Sequence, residues 1–282
     1  MFGISRQKYY RSFWKSSKQH DQSAQAICSV NELRNQMPRL GTRKLYHILK
    51  KDLRKINIGR DKLFHILRSN NMLIKPNRNY RITTNSHHRF HKHKNLIENM
   101  ALNRPEQVWV SDITYIGGRG NAYLALITDA YSKKIMGYDL SDSLAAEGSL
   151  RALKMAKKHR IYKSEPLIHH SDRGLQYCSD SYQRALKKGK IIPSMTESYD
   201  PYANAVAERI NGILKQEFLL EKYKKDINTL NLLVRDAVRI YNTARPHWSC
   251  HLNTPEQMRK QKQIKIKTYK KSHISKASLA NV

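Results

Sequence analysis

Apolar residues recur at helical spacing over the first 70 residues of the chain. Lysine and arginine fall between them, so each periodic stretch is predicted to form a short helix with a basic outer face. The predicted helices span residues 22–34, with Asp21 or Ser23 as N-cap, a segment from Thr42, whose hydroxyl can cap it, to Leu53, and residues 60–69, before the stop signal Asn70-Asn71.

The middle of the chain carries apolar runs of strand length, separated by turn residues. Predicted strands cover 108–116, 122–129, 134–139, 167–171 and 191–195, and predicted helices cover 144–159, 181–188 and about 203–218. Turn signals at Gly117-Gly118 and Tyr131-Ser132 predict that the first three strands form an antiparallel meander. Strands first, and then strands alternating with helices, predict an α/β fold with a mixed sheet flanked by helices, and this order resembles the ribonuclease-H-like fold.

The charge balance indicates an anionic partner. Lys and Arg number 53 against 22 Asp and Glu, a net charge of +31, and a polyanion such as nucleic acid relieves this self-repulsion. Residues 108–255 hold 15 of the 22 acidic side chains, so an acid-rich centre lies between two basic ends. For the first helices, charge therefore favours a helix-turn-helix domain on double-stranded DNA over a bundle with a solvated basic surface. Arg43, Lys44 and Arg60 are its expected DNA contacts.

Membrane, secreted and zinc-binding classes are not indicated. The longest apolar run, Ala122–Ile127, is far shorter than a membrane span, and the start of the chain lacks the apolar stretch of a signal peptide, so a cytoplasmic, nucleoid-associated protein is expected. Three cysteines, never in a C-x-x-C pair, indicate neither disulfides nor a zinc knuckle. His87 and His91 have nominal metal-ligand spacing, but a basic linker on phosphate is favoured there.

Three carboxylates stand out in the predicted sheet and helices. Asp112 interrupts a buried strand, where a charge is costly unless it is paired or functional. Asp172 ends another strand, and 35 residues separate it from Glu208 on the long helix. Three convergent carboxylates suit Mg²⁺ or Mn²⁺, and two such ions about 4 Å apart can promote in-line attack on a phosphodiester. These three residues are therefore the predicted metal ligands and catalytic residues.

The long helix has two faces at about 100° per residue. Its polar face carries Asn204, Glu208, Asn211 and Lys215, and its other face carries Val206, Ile210, Ile213 and Glu217, with Leu214 at the edge. On an isolated helix, such a polar face is ordinarily just solvated. Here Glu208 has two partner carboxylates, so Asn204, Asn211 and Lys215 are expected to contact DNA.

Six motifs occur in order along the chain. They are VWVSDITYI at 108–116, ITDAYSKKIMGYDLS at 127–141, HHSDRGLQY at 169–177, SMTES at 194–198, NAVAERINGILKQEF at 204–218 and YNTARPH at 241–247. The set resembles the retroviral-integrase-like DDE transposases of insertion sequences, specifically the OrfB-type proteins of two-frame elements, over nearly the whole chain. The resemblance implies that Asp112, Asp172 and Glu208 bind metal, and that Lys215 lies near the DNA of the element end. His170 and Arg173 match the motif around the second aspartate and are expected near DNA.

Three features bear on this resemblance. Family members commonly carry an acidic residue where this chain has Ala203, and its loss is expected to reduce activity if that carboxylate orients the helix. The opening MFGISRQKYYR resembles the end of an upstream DNA-recognition helix, so fusion with an upstream-frame DNA-binding protein is expected. Asp129 either supports the site from a neighbouring strand or ends that strand as a turn residue, and the second interpretation is favoured.

The predicted organisation has five segments: an N-terminal helical extension at 1–20, a helix-turn-helix domain at 21–80, a basic linker at 81–104, the integrase-like catalytic core at 105–262 and a basic tail at 263–282. The leading functional hypothesis is metal-dependent cleavage and strand transfer at insertion-sequence ends by a homo-oligomer on DNA, for which the resemblance implies a circular-intermediate route. A related metal-dependent nuclease and a catalytically weak or inactive DNA-binding regulator remain alternatives.

Overall fold

A computed structural model of the chain describes residues 5–75, 93–98, 100–117, 122–196, 205–223 and 226–261. The elements are α1 (Arg6–Gln36), α2 (Thr42–Lys55), α3 (Arg60–Ser69), β1 (Val108–Ile116), β2 (Ala122–Asp129), β3 (Ile135–Ser141), α4 (Ala146–Lys158), β4 (Leu167–Ser171), α5 (Leu175–Cys178), α6 (Asp180–Lys188), β5 (Ile191–Met195), α7 (Ala205–Gly212), a π-helical turn (Ile213–Glu217), α8 (Ile227–Thr243), a 3₁₀ turn (Trp248–Cys250) and α9 (Pro255–Lys260). The predictions for Ala203, Asn204, His87, His91 and residues 263–282 lie outside the described residues.

The N-terminal helices confirm the third predicted helix and correct the first two. Helix α1 begins 16 residues before the predicted start, with Ser5 as its N-cap instead of Asp21 or Ser23. Its early turns carry Tyr9, Tyr10, Phe13 and Trp14 at helical spacing, but all four side chains are exposed. The prediction follows the apolar residues that pack into the core and therefore begins too late. Gly41 is the N-cap of α2, and Thr42 is a buried first-turn residue, not the cap.

Five strands form one mixed sheet in the order β3-β2-β1-β4-β5. Strands β1, β2 and β3 are antiparallel neighbours, as the meander predicts, whereas β4 and β5 run parallel to β1. The predicted bounds of β1, β2, β4 and β5 are confirmed, and β3 begins one residue later than predicted and ends at Ser141. With α-helices on both faces, the chain has the α/β, ribonuclease-H-like fold that its sequence predicts.

Each face of the sheet has its own hydrophobic cluster. Side chains of β1 alternate, so Ile116 joins the cluster shared with α7 and α8 while Trp109 joins the cluster under α4 and α6. The first cluster also contains apolar residues of α1, α2 and α3, such as Leu45 and Leu63. The N-terminal helices and one face of the sheet are therefore parts of a continuous apolar core.

Asp129 closes the turn between β2 and β3. Its buried carboxylate accepts hydrogen bonds from the backbone N–H of Glu106 at 2.8 Å and of Ser132 at 2.9 Å, and from the Ser132 hydroxyl. Opposite it on β1 is Trp109, three residues before Asp112, or about 10 Å along the strand. These contacts are those of a turn residue, the interpretation that the sequence favours.

Each edge strand of the sheet has groups that pair with another part of the described chain. At β3, the Asn242 side chain accepts from the N–H of Ile135 and donates to its C=O, each at 3.0 Å. At β5, the N–H of Met195 donates to the C=O of Lys94 at 3.3 Å, and the Ser194 hydroxyl accepts from the N–H of Leu96 at 2.9 Å. The backbone groups at these points are therefore paired rather than open.

The helix predicted over 203–218 is not a continuous α-helix. The α-helical part ends at Gly212, and residues 213–217 form a wider π turn. This turn moves Lys215 away from the position expected seven residues beyond Glu208 on a regular helix. In the described part of the chain, we find no helix that combines the length and the apolarity needed to cross a membrane.

Candidate active site

Asp112 and Asp172 are brought together by two neighbouring parallel strands. Ser111 of β1 lies opposite Ser171 of β4, so the two aspartates occupy the next position on each chain. Neighbouring strands lie about 4.8 Å apart. Pairing of β1 with β4 therefore places two carboxylates side by side, although 59 residues separate them in sequence.

The turn after Asp172 is tight. The N–H of Gly174 donates to Asp172 Oδ1 at 3.1 Å. A Cβ atom at position 174 would lie 3.0 Å from that same oxygen and 3.1 Å from Oε1 of Gln176. Glycine therefore allows the backbone to approach and orient the Asp172 carboxylate.

Helix α7 supplies the third carboxylate and a direct contact to the first. The buried side chain of Asn211 donates through Nδ2 to Asp112 Oδ2 at 2.7 Å, while Asp112 Oδ1 accepts from the N–H of Ile113 at 2.9 Å. Glu208, one turn before Asn211, is exposed. The sequence predicts Asn211 as a DNA contact, and the structure places its amide against Asp112.

The electrostatics link all three carboxylates. Burial, which is the largest cause, and the nearby charges of Asp172 and Glu208 together raise the pKa of Asp112 to about 7. The hydrogen bonds from Ile113 and Asn211 act in the opposite direction. Asp112 thus lies close to two further negative charges, and a divalent cation would reduce the repulsion between them. The described residues nevertheless contain no group of three His, Cys, Asp or Glu side chains already arranged around a metal position.

The two histidines before Asp172 are packing residues. His170 is fully buried, and its Nδ1 lies 2.9 Å from the Ser194 hydroxyl on β5. His169 Nε2 lies 2.7 Å from the Ser111 hydroxyl and 2.8 Å from the Tyr182 hydroxyl. Burial lowers the pKa of His169 to about 3, so its ring is neutral. This burial does not fit the expected contact of His170 with DNA.

The other predicted DNA contacts lie in different surroundings. Lys215 and Arg173 are partly buried close to the carboxylates in sequence, and Arg43 and Arg60 are exposed on α2 and α3. Arg60 also lies 2.9 Å from Asp61. Lys44 does not face solvent: its side chain is 17% exposed, and its Nζ lies 3.3 Å from Glu217.

Several known proteins are similar to this chain in sequence. Two family models described as "Integrase core domain" match residues 103–201 and 190–255. An uncharacterized 31 kDa protein of insertion element IS600 from Shigella sonnei is 33% identical over 255 residues, covering 88% of this chain and 92% of the relative. The transposase InsF of insertion sequence IS3A from Escherichia coli K12 is 33% identical over 167 residues, and the transposase of IS629 from Shigella sonnei is 36% identical over 143 residues. These two alignments cover 58% and 50% of this chain and 58% and 48% of the relatives.

Solved structures of retroviral integrases are also similar. A simian T-cell lymphotropic virus intasome matches with a TM-score of 0.47 and 19% identity over 80% of this chain and 77% of the other. The catalytic core domain of HTLV-2 integrase, solved in complex with magnesium, matches with a TM-score of 0.44 and 19% identity over 55% of this chain and 97% of the other.

The family models define an integrase-core protein with the fold of the DDE polynucleotidyl transferase superfamily. The extended match to the IS600 protein, together with the matches to named transposases, identifies its family more closely. The chain belongs to the IS3-family insertion-sequence transposases.

Proposed function

We propose that this chain is a DNA strand transferase that cleaves at insertion-sequence ends and joins the freed 3′-hydroxyl to a second phosphodiester. The observation that carries the proposal is the pairing of β1 with β4, which places Asp112 beside Asp172, together with the charges of Asp172 and Glu208, which both raise the pKa of Asp112. A basic protein with a local negative cluster suits metal-dependent chemistry on a polyanion. Family membership supports the same reaction class.

The donor set fits Mg²⁺ or Mn²⁺, because it consists of carboxylate oxygens without a cysteine. Asp112, Asp172 and Glu208 would hold two ions. When bound, these ions would supply activation of the nucleophile and stabilisation of the leaving oxygen. Asn211 orients the Asp112 carboxylate from α7, and the N–H of Gly174 orients that of Asp172.

For double-stranded DNA, we propose two contact regions. Lys215 and Arg173 serve the strand at the carboxylates, and Arg43 and Arg60 serve the duplex at the N-terminal helices, which we assign to a helix-turn-helix domain within 21–80. Asn204 keeps its proposed place on the DNA-facing side. His170 and Lys44 are left out of this set because both are committed to internal contacts. A homo-oligomer on DNA and fusion with an upstream-frame DNA-binding protein complete the proposal.

The test uses labelled duplexes that carry element ends, either intact or already nicked, with Mg²⁺. The wild-type chain is expected to join pre-nicked ends to a target, whereas Asp112→Asn, Asp172→Asn and Glu208→Gln bind DNA without any chemistry. Asp142→Asn, an exposed aspartate outside the site, is the matched control.

The alternatives give different products in the same reactions. Cleavage without joining identifies a nuclease, and DNA binding without cleavage identifies a regulator. Near-normal joining by any one of the three carboxylate variants removes that residue from the site.

A further inference from the structure

A carboxylate outside the proposed triad lies on the apolar side of the same helical segment. Glu217 ends the π turn nine residues after Glu208. Arg245 binds it with two parallel hydrogen bonds, from Nε to Oε2 and from Nη2 to Oε1, each 2.8 Å long. Lys44 of α2 adds a third contact to Oε1 at 3.3 Å. Glu217 therefore joins three parts of the chain that are distant in sequence.

Arg245 is buried and is held in place by contacts that lead to the β-sheet. Its side chain is 2% exposed, and its guanidinium lies over the ring of Tyr241 at 5.6 Å. The Tyr241 hydroxyl donates to the C=O of Lys133, in the turn between β2 and β3, at 2.8 Å. Arg245 is consequently a fixed point to which Glu217 is attached.

Glu217 also contacts the N-terminal region, through its own backbone C=O and through its side chain. The N–H of Arg39 donates to the C=O of Glu217 at 3.1 Å, close to the Lys44 contact. Burial and the neighbouring Arg245 charge lower the pKa of Lys44 to about 8, with Arg209 adding to this effect and Glu217 opposing it. The cluster thus has more cationic than anionic groups, and Glu217 is the carboxylate that holds Lys44 and Arg245 together.

Apolar side chains in place of Glu217, Arg245 and Lys44 would stabilise the fold to a similar degree. Replacing a buried ion pair with apolar side chains is often neutral or stabilising, whereas removing one partner is costly. A bidentate arginine-carboxylate pair differs from apolar packing in that it fixes direction. The direction fixed here is that of the segment running back through Gly212 to Glu208 and Asn211.

We propose that Glu217 is a positioning residue, which with Arg245 fixes α7, the helix that carries Glu208 and contacts Asp112 through Asn211. Lys44 makes this position depend on docking of the N-terminal helices against the core. The inference rests on the proposed function only for its activity measurement, because the geometry can be tested without any reaction.

The geometric test measures the distance between two spin labels on the full chain. Cys28 is exposed while Cys178 and Cys250 are buried, so a Cys28→Ser background leaves the labelling sites clear. Labels at Lys50→Cys on α2 and Ala205→Cys on α7, both exposed positions, should give one narrow distance distribution. Glu217→Gln and Lys44→Gln should broaden or shift it. The matched controls Glu221→Gln and Lys51→Gln should leave it unchanged.

The activity test uses the pre-nicked joining reaction well below the unfolding temperature. Loss of helix position is expected to slow joining by Glu217→Gln by up to about 10²-fold, and Arg245→Lys, which keeps charge but loses the paired bonds, should be intermediate. Unchanged label distances and unchanged joining rates, even with a lower unfolding temperature, would overturn the proposal and leave a purely structural ion pair.

Two further outcomes separate this inference from the proposed function. If Glu217→Gln does not fold, Arg245→Lys and Lys44→Gln decide the question with the same label distances. If the wild-type chain joins no DNA while the distances respond as expected, the proposed function fails and the positioning role stands.

Discussion

Replacing Asp112 with Asn is expected to stabilise the folded chain when divalent cations are absent. The ordinary carboxyl pKa of 3.8 is raised to about 7 in the fold, so folding takes up a proton at intermediate pH. At about 1.4 kcal/mol per pKa unit, the ionised form costs up to about 4 kcal/mol of unfolding free energy above pH 7. The cost disappears below pH 4, where both states are protonated. Asn is neutral throughout, and its single amide oxygen can keep one of the two hydrogen bonds, from Asn211 or from Ile113.

The measurement is urea unfolding of the wild-type chain and of Asp112→Asn in EDTA at several pH values from 4 to 8. The stability difference in favour of Asn should be near zero at pH 4 and grow by up to about 1.4 kcal/mol per pH unit toward pH 7. Asp142→Asn, at an exposed site, should show little dependence of this kind. Addition of Mg²⁺ should stabilise the wild-type chain and reduce the advantage of Asn, since a bound ligand stabilises the state that binds it.

Two results would contradict this reasoning. A variant that is less stable than wild type at pH 8 in EDTA would show that burial and the neighbouring carboxylates do not make ionised Asp112 costly. A stability difference that is the same at pH 4 and pH 8 would show that the effect does not come from ionisation.

Other predictions concern DNA and the Asp172 turn. Lys215→Ala should weaken binding of element ends and slow joining, and Lys215→Arg should keep part of the activity. Lys222→Ala should have a much smaller effect. Normal joining by Lys215→Ala in a gel assay would show that Lys215 does not contact the DNA. Replacing Arg43 and Arg60 together by Gln should reduce the slope of log affinity against log salt by about 0.9 for each lost phosphate contact, and an unchanged slope would contradict those contacts. Gly174→Ala should lower the joining rate and leave the unfolding free energy nearly unchanged, because its Cβ would lie 3.0 Å from Asp172 Oδ1 and displace that carboxylate. A wild-type joining rate would show that the turn tolerates a side chain.

Much of the sheet could be predicted because its signals are local. The apolar runs of β1, β4 and β5 end at the predicted residues, and Asp112 and Asp172 are conspicuous as charges within or directly after such runs. Helix α3 is likewise bounded by its own periodicity. The bounds of these elements could be predicted because they are set by residues next to them in the sequence.

The rest depends on contacts between distant residues. A helical wheel assumes a regular α-helix, so it does not predict the π turn after Gly212. It also places Asn211 on the polar face expected to contact DNA, because the partner of Asn211, Asp112, is 99 residues away in sequence. The sequence pattern predicts that Lys44 is an exposed cation, whereas in the fold it contacts Glu217. The position of Glu217 among apolar residues was the one sequence signal of that cluster, since a carboxylate there requires a partner.

The paired groups on the two edge strands bear on how copies of the chain would meet on DNA. The DNA proposed as its partner would concentrate a chain of net charge +31, and open strand edges at high local concentration lead to edge-to-edge aggregation. Asn242 occupies the Ile135 backbone groups at one edge, and Lys94 and Leu96 occupy the other. Copies bound to one DNA molecule, as proposed, would therefore find these strand groups already paired and not open to a neighbouring copy.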